Sequence, residues 1–292
     1  MKDLKGKTAF ITGGAEGIGY HVGHLLAQQG MNVMLADIDT QMLDQAVRTL
    51  KGEGLPVEGV ALDVALKDEW ERVAEQATKT FGKVHLLMGN AGVSVTGAHK
   101  RIPENDWRWI IDVNLMSIVY GAQVFVPLMK SHGEGGHIMN VASVAGIHGV
   151  AYAGPYCATK AAVVSLSESW RTEFKKDGIT VSVLCPGFVK SRIYDSMRNR
   201  QERYGGPIHF EDEVKKKPAM AYSKDLVVTG IDTEIAANRV LEALQNDEFF
   251  IFTHPYLREV HEVRVKAVNE GFDRADASPA LASVPREGAI LT

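Results

Sequence analysis

Two hydrophobic rhythms alternate along the chain. Short runs, apolar almost throughout and rich in β-branched residues, recur at intervals, and between them lie longer segments whose apolar positions return every three to four residues. The short runs read as strands at Lys7–Thr12, Asn32–Asp37, Val57–Val64, Val84–Asn90, Gly136–Ser143, Ile179–Cys185 and Phe249–Thr253. The longer segments read as helices at Tyr20–Gln29, Gln41–Gly52, Lys67–Phe81, about Asn105–Lys130, Pro155–Lys176, Ile235–Gln245 and Tyr256–Val268. Strands that are apolar without alternation are buried on both faces. Strand and helix in strict turn imply βαβ units with right-handed crossovers. The expected fold is therefore α/β, with a doubly wound, mostly parallel sheet in a three-layer α/β/α arrangement.

No internal repeat is present. Residues 191–230 break the rhythm. They are polar and charged, and they mix Gly205, Gly206 and Pro207 with Tyr194, Tyr204 and Phe210. A loop of that length in a compact domain is a lid or a binding loop. The expected organisation is one domain over 1–274, with a substrate loop at about 191–230 and an Ala/Pro/Ser-rich tail at 275–292 that is mobile or docked on a partner subunit.

Composition narrows the function by exclusion. The 292 residues carry a net charge of −4, and no basic stripe suits nucleic acid. The short run Lys215–Lys217 lies beside acids and reads as a solvated face. Two cysteines, Cys157 and Cys185, make no disulfide framework and fit buried thiols in a reducing, cytoplasmic compartment. The polar start, Met1–Lys7, does not read as a signal peptide. No apolar run approaches the length that spans a bilayer. His132, His137 and His148 lack the spacing of a metal site, so no metal is expected.

The first strand ends in Thr12-Gly13-Gly14-Ala15-Glu16-Gly17-Ile18-Gly19. Glycines there let the backbone turn tightly and approach a pyrophosphate, and the helix that follows aims its free N–H groups at the anion. Asp37 closes the second strand eighteen residues later. A carboxylate at that point accepts hydrogen bonds from the adenosine ribose and repels a 2′-phosphate, and Glu16 stands where a cation would otherwise help one. NAD is therefore expected rather than NADP; the plainer alternative is that Asp37 caps a loop. Asp63-Val64 suits the adenine edge, again with capping as the alternative. Asn90-Ala91-Gly92 lets the chain pass close to the ribose and nicotinamide.

Tyr156 and Lys160 stand four apart on one helix and share a face. A phenol titrates near 10, too high for a base at neutral pH, and a neighbouring ammonium stabilises the phenolate. Ser143 ends the fifth strand, placed to bond a substrate oxygen. Asn114 lies in the long helical region and can connect Lys160 to solvent through water or backbone. A Tyr-x-x-x-Lys pair on its own is common as a surface pair; the company it keeps is what gives it weight.

These elements together resemble the short-chain dehydrogenase/reductase family over about Met1 to Ser191. The resemblance rests on Thr12–Gly19, Asp37, Asp63-Val64, Asn90-Ala91-Gly92, Asn114, Ser143, Tyr156-x-x-x-Lys160 and Pro186-Gly187. It implies a Rossmann fold and an Asn–Ser–Tyr–Lys tetrad at Asn114, Ser143, Tyr156 and Lys160. It implies a dinucleotide held by Gly13, Gly17, Ile18, Gly19, Asp37, Asp63, Val64, Asn90, Ala91, Gly92, Pro186, Gly187 and Ser191. Tyr156 and Lys160 also face that cofactor, Lys160 on the nicotinamide ribose, and the backbone of Val189 meets the carboxamide. Two positions depart from the family pattern. Gly89 stands where Asn is common, and Ser191 stands where Thr is common but keeps the hydroxyl. The family further implies a homodimer or homotetramer through the Asn105–Lys130 and Pro155–Lys176 helices.

Ser94, Val95, Val144, Ile147, Tyr152, Phe188, Tyr194 and Met197 are expected to line an apolar, aromatic pocket, with His148 near its mouth. That lining suits a bulky hydrophobic secondary alcohol or its ketone. The segment Ala153–Tyr156 and the long C-terminal extension are similar to bacterial short-chain dehydrogenases that oxidise benzylic alcohols of aryl ethers. Two alternatives stand beside this reading: an NADP-dependent ketoreductase, and a non-catalytic dinucleotide-binding scaffold, since fold alone does not give function.

Overall fold

The computed structural model describes residues 1, 3–212 and 219–284. Seven parallel strands form one sheet in the order β3-β2-β1-β4-β5-β6-β7. They are β1 (Thr8–Thr12), β2 (Asn32–Asp37), β3 (Val57–Ala61), β4 (Leu86–Gly89), β5 (Gly136–Val141), β6 (Ile179–Cys185) and β7 (Phe250–Phe252). Successive strands step outward from β1 to β3, and the chain then returns to lay β4 on the other side of β1. The β1/β4 boundary is the topological switch point, where open α/β sheets bind ligands beyond their carboxyl ends.

Period-two geometry sends consecutive strand residues into opposite cores. Met34, Phe10, Leu87 and Ile138 lie side by side across β2, β1, β4 and β5 and enter one core. Their chain neighbours Leu35, Ile11, Met88 and Met139 form the matching row in the other. The first core is closed by α3 (Lys67–Phe81), α5 (Ser117–His132) and α6 (Gly154–Glu173) through Trp70, Phe125 and Val163. The Phe10 and Phe125 rings stand 4.8 Å apart. The second core is closed by α1 (Gly17–Gln28), α2 (Thr40–Gly52) and the helix Thr233–Asn246 through Leu26, Leu50 and Val240. Burial of each such side chain contributes about 1.5–3 kcal/mol.

The structure redraws several expected boundaries. α1 begins at Gly17 rather than Tyr20, because the last glycines of the turn already take part in its first turn. β3 ends at Ala61, so Asp63 and Val64 lie just past the strand. The expected helix at Asn105–Lys130 is a continuous run of α4 (Glu104–Ile111), a π-turn at Asp112–Met116 and α5. That run, Glu104–His132, is long and apolar enough to cross a membrane by length and composition, which corrects the reading that no such run exists. Half of its most apolar stretch is buried, as in the core helix of a sheet protein. Within 191–230 the described residues form short 3-10 turns at Ile193–Asn199 and Glu202–Tyr204 and a helix at Ala219–Val228. The expected run Lys215–Lys217 and the tail beyond 284 lie outside the described residues.

The polypeptide divides into two compact units, Met1–Thr253 and His254–Thr292. The first holds the whole sheet and ends earlier than the boundary at 274 drawn from sequence. The second contains the helix Arg258–Asp276, longer than the expected Tyr256–Val268 because no proline interrupts it, and a short turn at Pro279–Leu281.

Candidate active site

Thr12 ties the two strands of the switch point together. Its hydroxyl accepts the N–H groups of Asn90 and Ala91, both at 3.0 Å. The Asn90 amide returns the link, donating to the carbonyls of Thr12 and Gly13 at 2.9 Å each. Asn90, expected to lie near the ribose, thus has its side chain committed to holding the glycine turn in shape. The turn is close-packed: a Cβ on Gly19 would fall 2.4 Å from the Gly13 carbonyl oxygen, and one on Gly13 2.9 Å from the Ala91 Cα. Gly13 and Gly17 both sit at positive φ, +61° and +63°, where a side chain would be strained.

α1 begins under this turn with Glu16 at its N-cap, yet the Glu16 side chain makes no capping bond and the first helical turn holds no acid. Free N–H groups at a helix start, beneath a glycine cradle, suit a diphosphate. Asp37 is half-buried at the end of β2, accepting from Ala15 N at 3.1 Å and Asp39 N at 3.0 Å. Burial pushes its carboxyl above the ordinary value, against the pull of those two N–H groups. The Asp63 carboxylate, expected at an adenine edge, accepts from Ala65 N at 3.1 Å, from the Gln201 amide at 3.2 Å and from Arg203 at 2.7 Å. Val64 is buried, and its carbonyl accepts from the Trp70 indole at 3.0 Å.

Ser143, Tyr156 and Lys160 come together past the ends of β5 and β6. Ser143 caps the turn Val144–Gly146, its hydroxyl accepting from Ala145 N at 3.1 Å and lying 3.4 Å from the Pro186 carbonyl. It also acts on Tyr156, pulling the phenol's pKa down. Lys160 lies 5.8 Å from the centre of the Tyr156 ring and donates to the Val141 carbonyl at 2.7 Å. The π-turn inserts a residue into the α4–α5 run and aims Asn114 inward. Asn114 accepts from Val93 N at 2.8 Å and donates to Val93 O at 3.0 Å and Thr159 Oγ1 at 3.2 Å. A Cβ on Gly92 would meet Lys160 Nζ at 3.4 Å and Asn114 Oδ1 at 3.5 Å, so the two side chains converge on that glycine.

The electrostatics differ from expectation in one respect. Burial pushes the Tyr156 phenol up to about 12, with the Ser143 hydrogen bond pulling the other way. Burial also lowers the Lys160 ammonium to about 8. The protein alone does not place the phenol near neutrality, because burial outweighs the pull of Ser143. Cys185, buried beside them, is pushed up to about 12 by burial and is no nucleophile.

Just before α6, Tyr152 takes a positive φ of 64° and is largely exposed. A non-glycine residue in that region stores strain, of a kind found at binding sites. Its carbonyl accepts Gly97 N at 2.7 Å, joining the loop after β4 to the start of α6. Phe188 and Val150 are also exposed. Of the expected lining, Val95 and Met197 are instead buried in the core, because both join the Trp70 cluster. Val189 pairs with Ile231 in an isolated bridge. Ser191 Cβ lies 3.7 Å from where a Cβ on Gly17 would stand, bringing the 191–204 loop against the glycine turn.

Among the described residues, His85, His132 and Glu134 bring possible metal donors within 4.8 Å of one another, a grouping the sequence reading did not make. Hydrogen bonds account for them. His85 Nδ1 accepts Thr8 N at 3.1 Å, which leaves its Nε2 proton for Glu134 at 2.9 Å. His132 Nδ1 accepts Glu134 N at 3.2 Å and its Nε2 donates to Val84 O at 3.0 Å. Each neutral ring has one lone pair, and each lone pair is used.

The chain matches the short chain dehydrogenase family over residues 7–202. It belongs to that family, whose members are oxidoreductases that bind a nicotinamide dinucleotide. It is 33% identical to the C alpha-dehydrogenase of Sphingobium sp. strain SYK-6 over 280 residues, 96% of this chain and 90% of that one. It is 33% identical to a CLA biosynthesis dehydrogenase/reductase of Lactiplantibacillus plantarum over 272 residues, 92% of this chain and 95% of that one. Its structure is similar to that of a short chain dehydrogenase/reductase from Burkholderia phymatum in complex with NAD, with a TM-score of 0.88 at 34% identity, covering 93% of this chain and 97% of that one.

Proposed function

We propose that this protein is an NAD-dependent dehydrogenase that oxidises a bulky, hydrophobic, aryl-bearing secondary alcohol to the ketone, with Tyr156 as general acid/base. The observation that carries this reading is the meeting of Tyr156, Ser143 and Lys160 beyond the carboxyl ends of β5 and β6, beside a glycine turn built for a diphosphate. Gly13, Gly17, Ile18 and Gly19 would hold the diphosphate, Asp37 the adenosine ribose, and Lys160 the nicotinamide ribose. When bound, NAD supplies the hydride acceptor. The Ser143 hydroxyl donates to the substrate oxygen. Tyr156 Oη, once ionised beside Lys160 and the positive ring that NAD would bring, takes the hydroxyl proton as the carbinol hydrogen leaves with its electron pair. Lys160 steadies the phenolate, and Asn114 with Val93 keeps the wall behind it rigid.

The exposed apolar side chains Tyr152 and Val150, just before α6, and Phe188, just after β6, support an aromatic substrate, as does similarity to a C alpha-dehydrogenase. Absorbance of NADH during turnover of benzylic, alicyclic and small charged alcohols tests the reading. Benzylic secondary alcohols are expected to give a kcat/KM at least about tenfold above small charged ones, the effect of an unmatched apolar pocket. Preference for a carboxylated or phosphorylated small alcohol overturns it. A kcat/KM higher with NADP than with NAD turns the assignment to an NADP-dependent ketoreductase. A homodimer or homotetramer, proposed on family resemblance, is read from mass by light scattering.

A further inference from the structure

Two guanidinium groups from the loop after β6 meet a single carboxylate in the glycine turn. Arg192 Nε donates to Glu16 Oε2 at 2.6 Å, and Arg198 donates to Glu16 Oε1. These contacts span 176 and 182 residues of chain. They place two positive charges on one negative charge. Asp39 and Asp195 also act on Arg192. Arg192 Nη2 and Arg198 Nε are buried and have no hydrogen-bond partner. Buried unsatisfied donors are uncommon and call for a physical reason. Glu16 in turn acts on Asp37, whose carboxylate is held by Ala15 N and Asp39 N. Glu16, Asp37, Asp39 and Arg192 therefore belong to one charged network around the end of β2.

From sequence, Glu16 adds negative charge against a phosphate on the adenosine ribose. The structure changes that: with both arginines on it, the Glu16 charge is more than offset, and the negative charge facing that phosphate is left to Asp37 and Asp39. Arg192 and Arg198 still have donors to give, and a phosphate takes charge-assisted bonds from guanidinium groups. We infer that Arg192 and Arg198 are specificity-determining residues for the adenosine end of the dinucleotide, held in check by Glu16. Exclusion of a 2′-phosphate then falls to Asp37 and Asp39, and Glu16 is the restraint that keeps two competent cations occupied. This inference rests on the dinucleotide reading of the site.

Isothermal titration calorimetry with AMP and adenosine 2′,5′-bisphosphate tests it without turnover. The quantity read is the ratio of the two dissociation constants, bisphosphate over AMP. In Glu16→Gln the ratio is expected to fall about tenfold or more, the effect of a charge-assisted bond gained. In Glu16→Gln with Arg192→Gln and Arg198→Gln, it returns to the wild-type value or above. In Arg192→Gln/Arg198→Gln alone, where native Glu16 is kept, it rises; this variant serves if the Glu16 substitutions do not fold. An unmoved ratio in Glu16→Gln, or an equal fall when both arginines are gone, overturns the inference. Titration of the wild type with NAD separates the two claims. No binding of NAD overturns the proposed function, whereas NAD binding with an unmoved ratio overturns this inference alone.

Discussion

Lys160 Nζ lies 2.7 Å from the carbonyl oxygen of Val141, so a buried cation rests on a neutral acceptor. Burial holds the ammonium down at about 8, below its ordinary 10.5. A charge buried without a full partner costs stability. Lys160→Met, of similar volume, is expected to raise the unfolding midpoint at pH 7 by about 2–4 °C for each kcal/mol relieved, while removing activity. The sign of the pH dependence follows. Between about 8 and 10.5 the unfolded chain binds the lysine proton and the folded chain has lost it, so wild-type stability gains on the variant as pH rises. Scanning calorimetry from pH 7 to 10 checks this; a variant less stable at pH 7 refutes it.

His137 provides a second titration, far from the chemistry. It is buried in β5, with Nε2 3.0 Å from Ser182 Oγ and Nδ1 2.7 Å from Thr180 Oγ1. Burial lowers it to about 3 from 6.5. The folded protein keeps it neutral while the unfolded chain takes a proton, so stability is present above pH 6.5 and lost as pH falls toward 3. One proton contributes at most about 1.4 kcal/mol per pH unit. Urea titrations between pH 7 and 4 should show a shallower loss in His137→Asn than in the wild type. Equal slopes would mean that His137 titrates alike in both states.

Gly19→Ala drives a methyl group to within 2.4 Å of the Gly13 carbonyl oxygen. The turn must open to admit it, at about 1–3 kcal/mol, the usual cost of overpacking. NAD affinity is expected to fall by at least about tenfold, since the backbone that would face the diphosphate moves. Calorimetric titration with NAD measures it, and unchanged affinity would show that the turn does not contact the ligand.

The 191–204 loop has anchors of unequal strength. Arg200 and Asp106 pair at 2.9 Å with side chains only 7% and 5% exposed. Arg203 and Asp63 pair at 2.7 Å, but Arg203 is 36% exposed. Arg200→Ala takes the guanidinium away from a buried carboxylate and is expected to cost about 3–5 kcal/mol. Arg203→Ala is expected to cost less than about 1 kcal/mol. Urea denaturation of both variants measures the difference, and equal losses would contradict the assignment.

The sheet and the convergence of Ser143, Tyr156 and Lys160 were readable from sequence for physical reasons. Strands such as Asn32–Asp37 are doubly buried, so their apolar runs carry no competing periodicity. Asp37, Ser143, Tyr156 and Lys160 sit at fixed steps from strand ends or along one helix. The π-turn at Asp112–Met116 was not readable, since one inserted residue barely disturbs a helical average. The Glu16 contacts with Arg192 and Arg198 leave no local trace, because the partners are far apart in the chain. The phenol's raised pKa escaped as well. Spacing brings Lys160 near Tyr156, but it does not reveal how far the fold buries the phenol.

The central claim is that Tyr156 moves the substrate proton. Single-turnover formation of NADH from a benzylic secondary alcohol, in wild type and Tyr156→Phe, tests it most directly. The rate is predicted to fall by about 10²- to 10⁴-fold, the usual worth of general acid–base help, with NAD still bound. A variant rate within about threefold of wild type would contradict the account.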